Sequence, residues 1–271
     1  KFRPGMVKPE IPANRETRTG LSMGDHTAVT ASEWKIARED QDELAFHSHK
    51  NLAAAWESGW QDDLVTPYLG VEVDGNMRAD TTLEKLASLK PVFGGKEGTM
   101  TAANSTPLSD GASAVLMGTE EYAKEKGIKP LARFVDAETA AIDYIVKQEG
   151  LLLAPVYAVP RLLTRNGLTL QDFDFYEIHE AFAAQTLATM KAWEDEAFCK
   201  NRLGLDKPLG SIDRAKLNVK GGSLAAAHPF AATGGRIIAN LAKLLDEKGS
   251  GRGLISICAA GGQGVVAILE R

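Results

Sequence analysis

The spacing of apolar and polar positions first predicts a helical opening third. Between residues 26 and 60 the apolar positions recur at helical spacing. Capping patterns that begin at Thr30 and at Asp40, each followed three residues later by Glu, predict two helix starts there. A short strand is predicted over 69–77 and a short helix over 81–91, where a proline ends the helical pattern.

From Thr99 onward, the pattern changes to alternating strands and helices. Strands are predicted over 112–119, 131–140, 173–178, 217–222 and on both sides of the glycine turn within 253–271. Helices are predicted over 119–126, 155–166 and 181–198, and a final amphipathic helix precedes Gly249. The 131–140 strand is expected to be buried. This alternation favours an α/β layered domain.

Composition adds few constraints. The 271 residues are 44% hydrophobic and 25% charged, which is typical of one or two ordinary globular domains. The net charge of -5 gives no general reason to expect nucleic-acid binding. Two cysteines make no disulfide framework, and their spacing suggests no metal site. No apolar run reaches membrane-spanning length, and no targeting signal or initiator Met is visible, so the chain reads like part of a longer one.

The stretch "GGSLAAAHPFAATGGR" places His228 among small residues, directly before Pro229. The proline favours an extended histidine backbone and suits the first position of the helix that follows. The imidazole is therefore expected at a helix N-terminus, where the dipole favours a neutral ring that can act as a base. A histidine satisfied within the core is the alternative that this stretch leaves open.

Two other segments carry candidate chemistry. Cys258 ends the strand "LISIC" before the turn "AAGGQG", whose N–H groups could face an oxyanion, although a buried cysteine there is more often inert. His179 and Glu180, in "HEAFAAQ", stand where a strand gives way to a helix. A carboxylate that merely caps the helix is the alternative for Glu180. The small polar residues of 98–114 suit a loop around an extended ligand, or plain turns.

In order and in wording, these segments resemble the thiolase family, the 3-ketoacyl-CoA and acetoacetyl-CoA thiolases. "HEAFAAQ" is similar to the family's Asn-Glu-Ala-Phe motif, "GGSLAAAHPFAATGGR" to its Gly-His-Pro motif, and "CAAGGQG" to its C-terminal catalytic cysteine loop. "GTMTAANST" is similar to the exit from the family's loop domain, and "GLSMGDHTA" resembles part of the helical loop domain that covers coenzyme A. The resemblance implies an α/β, thiolase-like layered fold (αβαβα). It divides the chain into a loop domain over 1–98, the end of the N-terminal half over 99–128, and the C-terminal half over 129–271.

The resemblance also implies roles for individual residues. His228 would accept the nucleophile's proton, and Cys258 would be the second acid/base. His179 would complete one oxyanion hole, and the N–H of Ala260 would contribute to the other. Three further residues match positions that line the coenzyme A or acyl site: Thr106, Phe182 and Met23. No metal and no cofactor is implied, because coenzyme A is a substrate.

The departures from the family pattern are informative. His179 replaces the usual Asn, as in the β subunits of trifunctional fatty-acid-oxidation complexes. Ala227 replaces the usual Gly before the histidine, so we expect that this backbone does not adopt glycine-only angles. The family's nucleophilic cysteine lies upstream in a stretch with no match here, and Cys199 looks like a surface or packing residue. The chain is therefore expected to be a C-terminal portion, inactive by itself.

The implied function is thiolytic cleavage of a 3-ketoacyl-CoA by coenzyme A in fatty-acid β-oxidation. A non-catalytic CoA-binding module and a structural half that assembles with a partner remain alternatives. A decarboxylating ketoacyl synthase is disfavoured because such enzymes carry a second histidine where Cys258 lies. The implied partners are acyl-CoA and coenzyme A, a second copy in a homodimer, and a hydratase/dehydrogenase α subunit, with no nucleic acid. The bacterial cytoplasm or the mitochondrial matrix is the expected location.

Overall fold

The computed structural model describes residues 14–146 and 149–271. The first part contains α1 (Met23–Glu33), α2 (Arg38–Glu57), α3 (Leu83–Ala87), β1 (Pro91–Phe93) and β2 (Met100–Thr101). The second part contains α4 (Glu120–Lys126), β3 (Arg133–Ala141), α5 (Ala154–Asn166), β4 (Phe175–Ile178), α6 (Ala183–Glu194), α7 (Glu196–Asn201), α8 (Ser223–Ala226), α9 (Thr233–Lys248), β5 (Arg252–Ala259) and β6 (Gln263–Glu270).

A four-stranded mixed sheet, in the order β3-β6-β5-β4, organises the second part. β4 runs parallel to β5, whereas β6 is antiparallel to both of its neighbours. Alternate residues of β5 and β6 enter two different cores, since successive side chains point to opposite faces. Leu254, Cys258 and Val266 join the larger core, and Ile255 and Ala267 join the smaller one.

Helices cover both faces of this sheet. α9 covers one face with an apolar stripe at helical spacing (Ile237, Leu241 and Leu245) and ends at Gly249, whose φ of 80° completes the cap. α5 packs on the opposite face against β3, β5 and β6. The buried helix α6 contacts α5, and also α1 and α2 of the first part. The helical first part is thereby joined to the sheet, which gives a layered α/β arrangement.

Several predicted elements are confirmed, but the predicted starts of the first two helices are wrong. α1 is capped by Ser22, which exchanges hydrogen bonds with Asp25. Thr30 lies inside α1, where its hydroxyl donates to the carbonyl of His26 one turn earlier. α2 begins after Ala37, which makes no side-chain capping bond. Among the described residues, no helix is long and apolar enough to cross a membrane.

Three predicted strands are absent from the described residues. Residues 112–119 are exposed and have no ladder partner there. Tyr68 and Val71 form only an isolated bridge, and so does Leu217 with Tyr176. The 131–140 strand does exist, as β3, but contrary to expectation only Ala140 of this strand is buried, because β3 is an edge strand of the sheet.

Candidate active site

Two sequence-predicted histidines lie against each other at the end of the sheet where β4 stops. His179 follows β4 directly, and its N–H donates to the carbonyl of Ser256 on β5 at 2.8 Å. His228 lies in the loop between α8 and α9. The two ring centroids are 4.2 Å apart and the ring planes are inclined by 47°. The fold therefore joins two motifs that are 49 positions apart in the sequence.

A chain of side-chain hydrogen bonds ends on the buried ring of His179. Its Nδ1 lies 2.8 Å from the hydroxyl of Ser223, the first residue of α8. Arg236, one turn into α9, donates from Nη2 to the same hydroxyl at 2.8 Å. Two helices thereby hold one nitrogen of this imidazole and leave the other, Nε2, without a bond in the described part of the chain.

His228 is held by the first turn of α9. Its Nδ1 lies 2.6 Å from the hydroxyl of Thr233, and that hydroxyl donates to the carbonyl of Pro229 at 3.3 Å. The predicted proximity to a helix N-terminus is thus present, but Pro229 is not the first helical residue, since α9 starts at Thr233. The ring is partly exposed, as a base that meets a substrate must be.

Burial keeps both imidazoles neutral at neutral pH. Desolvation lowers the pKa of His228, and the nearby charge of Arg236 lowers it further. Desolvation also lowers the pKa of the fully buried His179 well below its usual value, with smaller effects from His228 and Arg236. A proton gained by either ring would place a second positive charge near the guanidinium of Arg236.

The backbone directly before His228 adopts the angles that the sequence predicts it to avoid. Ala227 has φ 68° and ψ −175°, a region that is essentially restricted to glycine. The expectation that Ala227 avoids glycine-only angles is therefore wrong. The residue is fully buried, and the hydrogen bonds of Ser223 and His228 on either side hold the strained peptide in place.

Glu180 does not cap α6. That helix begins after Phe182 without a side-chain capping bond. Instead, the Glu180 carboxylate accepts hydrogen bonds from Ser48 of α2 at 2.7 Å, from the Asn218 amide at 2.7 Å, and from the N–H of Leu224 at 3.2 Å. The capping alternative is wrong, and this carboxylate ties the helical first part to the turn that carries His179.

Gly221 and Gly222, directly before Ser223, allow the chain to pass close to Glu180 and to α2. A Cβ on Gly222 would lie 2.2 Å from Oε2 of Glu180. A Cβ on Gly221 would lie 2.6 Å from the Leu52 Cβ of α2, and its φ of 84° is in addition left-handed. Only glycine at both positions lets the chain run this close to the carboxylate and to α2.

Cys258 lies one strand away from the histidine pair. It is buried near the end of β5, opposite Gly264 of β6, and faces the larger core. Burial raises the pKa of its thiol to about 12, so the thiol is protonated at neutral pH. Among the described residues no hydrogen bond joins it to either histidine. β4 and β5 run parallel, so their carboxyl ends lie at the same end of the sheet. His179, after β4, and Cys258, near the end of β5, both lie at that end.

The four remaining predicted residues occupy different surroundings. Thr106 donates from its hydroxyl to the carbonyl of Ser223 at 2.8 Å, so it lies beside the His179 relay. Phe182 is buried, with its ring edge-on to that of Phe93 at 6.0 Å. Ala260 lies exposed in the β5–β6 turn, and Met23 opens α1, partly buried against the core. Within the described contacts, neither Ala260 nor Met23 touches the histidine pair.

Sequence reasoning missed most residues that hold the histidines. Two of them could have been found: Thr233 and Arg236 follow His228 by five and eight residues within "GGSLAAAHPFAATGGR", close enough along the chain to reach the histidine pair. Ser48 and Asn218 gave no such signal, because their partners lie 132 and 38 positions away. Cys199 is a packing residue as expected, since its buried thiol donates to the carbonyls of Ala192 and Trp193.

Comparison with known proteins gives the family. The family model "Thiolase, C-terminal domain" matches residues 128–271, and "Thiolase, N-terminal domain" matches residues 6–121. The chain belongs to the thiolase family. The predicted family and the predicted layered α/β fold are both confirmed.

Curated thiolases are similar to the whole chain. It is 46% identical over 275 residues to the 3-ketoacyl-CoA thiolase of Pectobacterium atrosepticum, with 99% of the chain and 62% of that protein covered. It is 48% identical over 270 residues to the enzyme of the same name from Alteromonas mediterranea, with 97% and 61% covered. The chain therefore spans about three fifths of the length of these relatives.

Solved thiolase structures share the fold. The Bacillus anthracis acetyl-CoA acetyltransferase superposes with a TM-score of 0.79 at 35% identity, covering 94% of this chain and 61% of that one. Human mitochondrial 3-ketoacyl-CoA thiolase in complex with CoA superposes with a TM-score of 0.77 at 32% identity, covering 94% and 60%.

Proposed function

We propose that this chain supplies the acid/base and oxyanion-binding part of an acetyl-CoA C-acyltransferase. The reaction is thiolysis of a 3-ketoacyl-CoA by coenzyme A, which yields an acyl-CoA and acetyl-CoA in fatty-acid β-oxidation. The observation that carries the proposal is the pair of neutral imidazoles, His179 and His228, in ring contact at the carboxyl end of the sheet. The 3-ketoacyl-CoA thiolases that the chain matches at 46–48% identity support it.

The site residues divide the chemistry as follows. His228 accepts the proton of the attacking thiol on the ring nitrogen that Thr233 leaves free. His179, with the N–H of Ala260 at the other side, stabilises the oxyanions that form during attack and thioester transfer. When the C2–C3 bond breaks, its electron pair leaves on acetyl-CoA as the enolate. The raised pKa of Cys258 keeps its thiol protonated, so it can give the enolate its proton.

The nucleophile is not among these 271 residues. Acyl transfer needs a thiolate aimed at the substrate carbonyl. The pKa of Cys258 is raised to about 12, and burial also raises the pKa of Cys199, whose thiol is bonded to two carbonyls. We therefore propose that a cysteine elsewhere in the intact protein forms the acyl-enzyme, and that the 271-residue chain alone does not turn over.

Coenzyme A is the proposed ligand of the loop side of the site, since one structural relative is a complex with CoA. Thr106, Phe182 and Met23 would line its pantetheine and the acyl pocket, and no other cofactor is required. We further propose a homodimer, association with a hydratase/dehydrogenase α subunit, and residence in the bacterial cytoplasm or the mitochondrial matrix. A CoA-binding module without turnover is the second candidate, because neither cysteine has the environment of a nucleophile.

The test uses the intact protein with acetoacetyl-CoA and with a long-chain 3-ketoacyl-CoA, following the loss of the ketoacyl thioester. His228→Ala should lower kcat by about 10³-fold, within the usual range for a lost acid/base. His47→Ala is the matched control, because His47 is exposed on α2. Calorimetry with coenzyme A runs in parallel. CoA binding without turnover by the intact protein would favour the binding module, and equal activity of the two variants would refute the assignment of His228.

A further inference from the structure

The protons of the His179 relay can be assigned from the donors that build it. A guanidinium has only donors, so the Ser223 oxygen must accept from Arg236. The single hydroxyl proton of Ser223 is then free to point at Nδ1 of His179, 2.8 Å away. Nδ1 is therefore the acceptor, and a neutral His179 carries its proton on Nε2.

The contacts of His228 lead to the opposite assignment. The hydroxyl of Thr233 has one proton, and the carbonyl of Pro229, which can only accept, lies 3.3 Å from the hydroxyl oxygen and offers that proton a partner. Its oxygen then accepts from Nδ1–H of His228, at 2.6 Å. The Nε2 of His228 is left with a free lone pair.

We propose that Ser223 and Arg236 are positioning residues that hold His179 as the Nε2–H tautomer, while Thr233 holds His228 as the Nδ1–H tautomer. The two touching rings then differ in what they offer: His179 donates a hydrogen bond and His228 accepts a proton. This division of labour rests on the proposed function for its use in catalysis. The tautomer assignment itself is argued from the partners of the two Nδ1 atoms and does not depend on the proposed function.

The setting of Arg236 explains why it can serve as the fixed donor. Its Nε is buried and has no partner among the described residues, so the side chain is anchored by charge rather than by a full set of hydrogen bonds. Burial lowers the pKa of Arg236, the neighbouring carboxyls of Glu177, Glu180 and Asp74 oppose that shift, and the guanidinium remains charged at neutral pH. A permanently charged donor cannot reverse the direction of the relay, whereas a hydroxyl or an amide in its place could.

The direct test is long-range ¹H–¹⁵N correlation on the intact protein labelled with ¹⁵N-histidine, at pH 8 and without substrate. Loss of signals in His179→Asn and in His228→Asn assigns the two rings. We expect His179 protonated on Nε2 and His228 protonated on Nδ1. Protonation of His179 on Nδ1, or the same tautomer for both rings, would overturn the proposal, and this wild-type measurement needs no variant of the relay.

Variants then test the role of the relay. Ser223→Ala should mix the tautomers of His179 and lower kcat by 10- to 100-fold with little change in KM, and Ser223→Thr, which restores the hydroxyl, should recover the Nε2–H signal. Ser88→Ala, at an exposed serine, is the matched control. An unchanged His179 spectrum in Ser223→Ala would refute the relay. A protein with the expected tautomers but no thiolysis would refute the proposed function alone, and an active protein with Nδ1–H on His179 would refute the relay alone.

Discussion

Ala227 shows how a single residue can carry backbone strain for the site. Its positive φ with an extended ψ costs a residue with a Cβ on the order of 1–3 kcal/mol, and the surrounding bonds maintain it immediately before His228. This strain lowers the stability of the whole fold, and it fixes the position of the His228 ring.

Replacing Ala227 by glycine should therefore stabilise the protein. Glycine adopts these angles freely, and the relief exceeds its larger loss of backbone entropy on folding, so we expect a gain of about 1 kcal/mol in the free energy of unfolding. Denaturant unfolding measures it. Ala226→Gly is the matched control, because Ala226 is in α8 with helical geometry and should lose about 1 kcal/mol. A loss of stability in both variants would mean that Ala227 is not strained.

The two cysteines should differ sharply in their effect on catalysis. Cys258→Ala in the intact protein should nearly abolish thiolysis, since it removes the proton donor that we propose for the enolate. Cys199→Ala should leave kcat nearly unchanged, because that thiol only packs and bonds to carbonyls of α6. Steady-state kinetics on both variants decides the question, and equal losses would remove Cys258 from the proposed mechanism.

At the scale of elements, the sequence predicts those features that depend on residues next to each other in the chain. The period of α9, the helix predicted over 119–126, which forms as α4, and the apolar strands around the "AAGGQG" turn are all properties of contiguous residues, and each prediction is confirmed. The strand predicted over 112–119 fails because a strand exists only with a partner, and none is present among the described residues. The strand predicted at Leu217 fails because Asn218, at φ 45°, turns the chain to reach Glu180.

The same distinction applies to the candidate site. The motifs contain His179, His228 and Cys258, because chemistry-bearing residue types stand in a recognisable order. The links from Ser48 to Glu180 and from Arg236 to Ser223 depend on how α2 and α9 dock. Docking is a long-range property, so these links could not be predicted from spacing.

Glu177 of β4 should make the free energy of unfolding depend on pH. Burial raises the pKa of this carboxyl to about 8, opposed by Arg236 and reinforced by Glu180. Since the folded-state pKa lies above the unfolded value, its stabilising contribution is complete below about pH 4.5 and is lost as the pH rises towards 8. Glu177→Gln should remove this loss, so the variant should exceed wild type at pH 9 by on the order of 5 kcal/mol and match it near pH 4.5.

Denaturant unfolding at pH 4.5, 7 and 9 measures that difference. Glu43→Gln is the matched control, since Glu43 is half exposed on α2. If Glu177→Gln loses stability equally at every pH, the carboxyl is ionised and paired with Arg236 rather than protonated.

At the scale of the whole molecule, one segment of the surface carries many exposed apolar side chains. Large apolar side chains are exposed along the segment that leads into the edge strand β3: Leu108, Val115, Leu116, Met117, Tyr122, Ile128, Leu131 and Phe134. The outer edge of β3 has no strand partner among the described residues. We call these side chains the apolar strip; exposed apolar side chains and an open strand edge both favour association.

The isolated 271-residue chain should therefore self-associate through this apolar strip, and its net charge of -5 is too small to prevent it. Sedimentation velocity between about 5 and 100 µM should show a weight-average mass that rises with concentration, within the usual range of weak apolar association. A double change, Leu116→Glu with Met117→Glu, should suppress the rise, because those side chains are 78% and 63% exposed and contribute nothing to the core. Leu69→Glu is the matched control, since Leu69 is 87% exposed and is not among the residues of the strip. A chain that stays monomeric over this range, or a Leu69 variant that suppresses association equally, would show that the strip is not the contact surface.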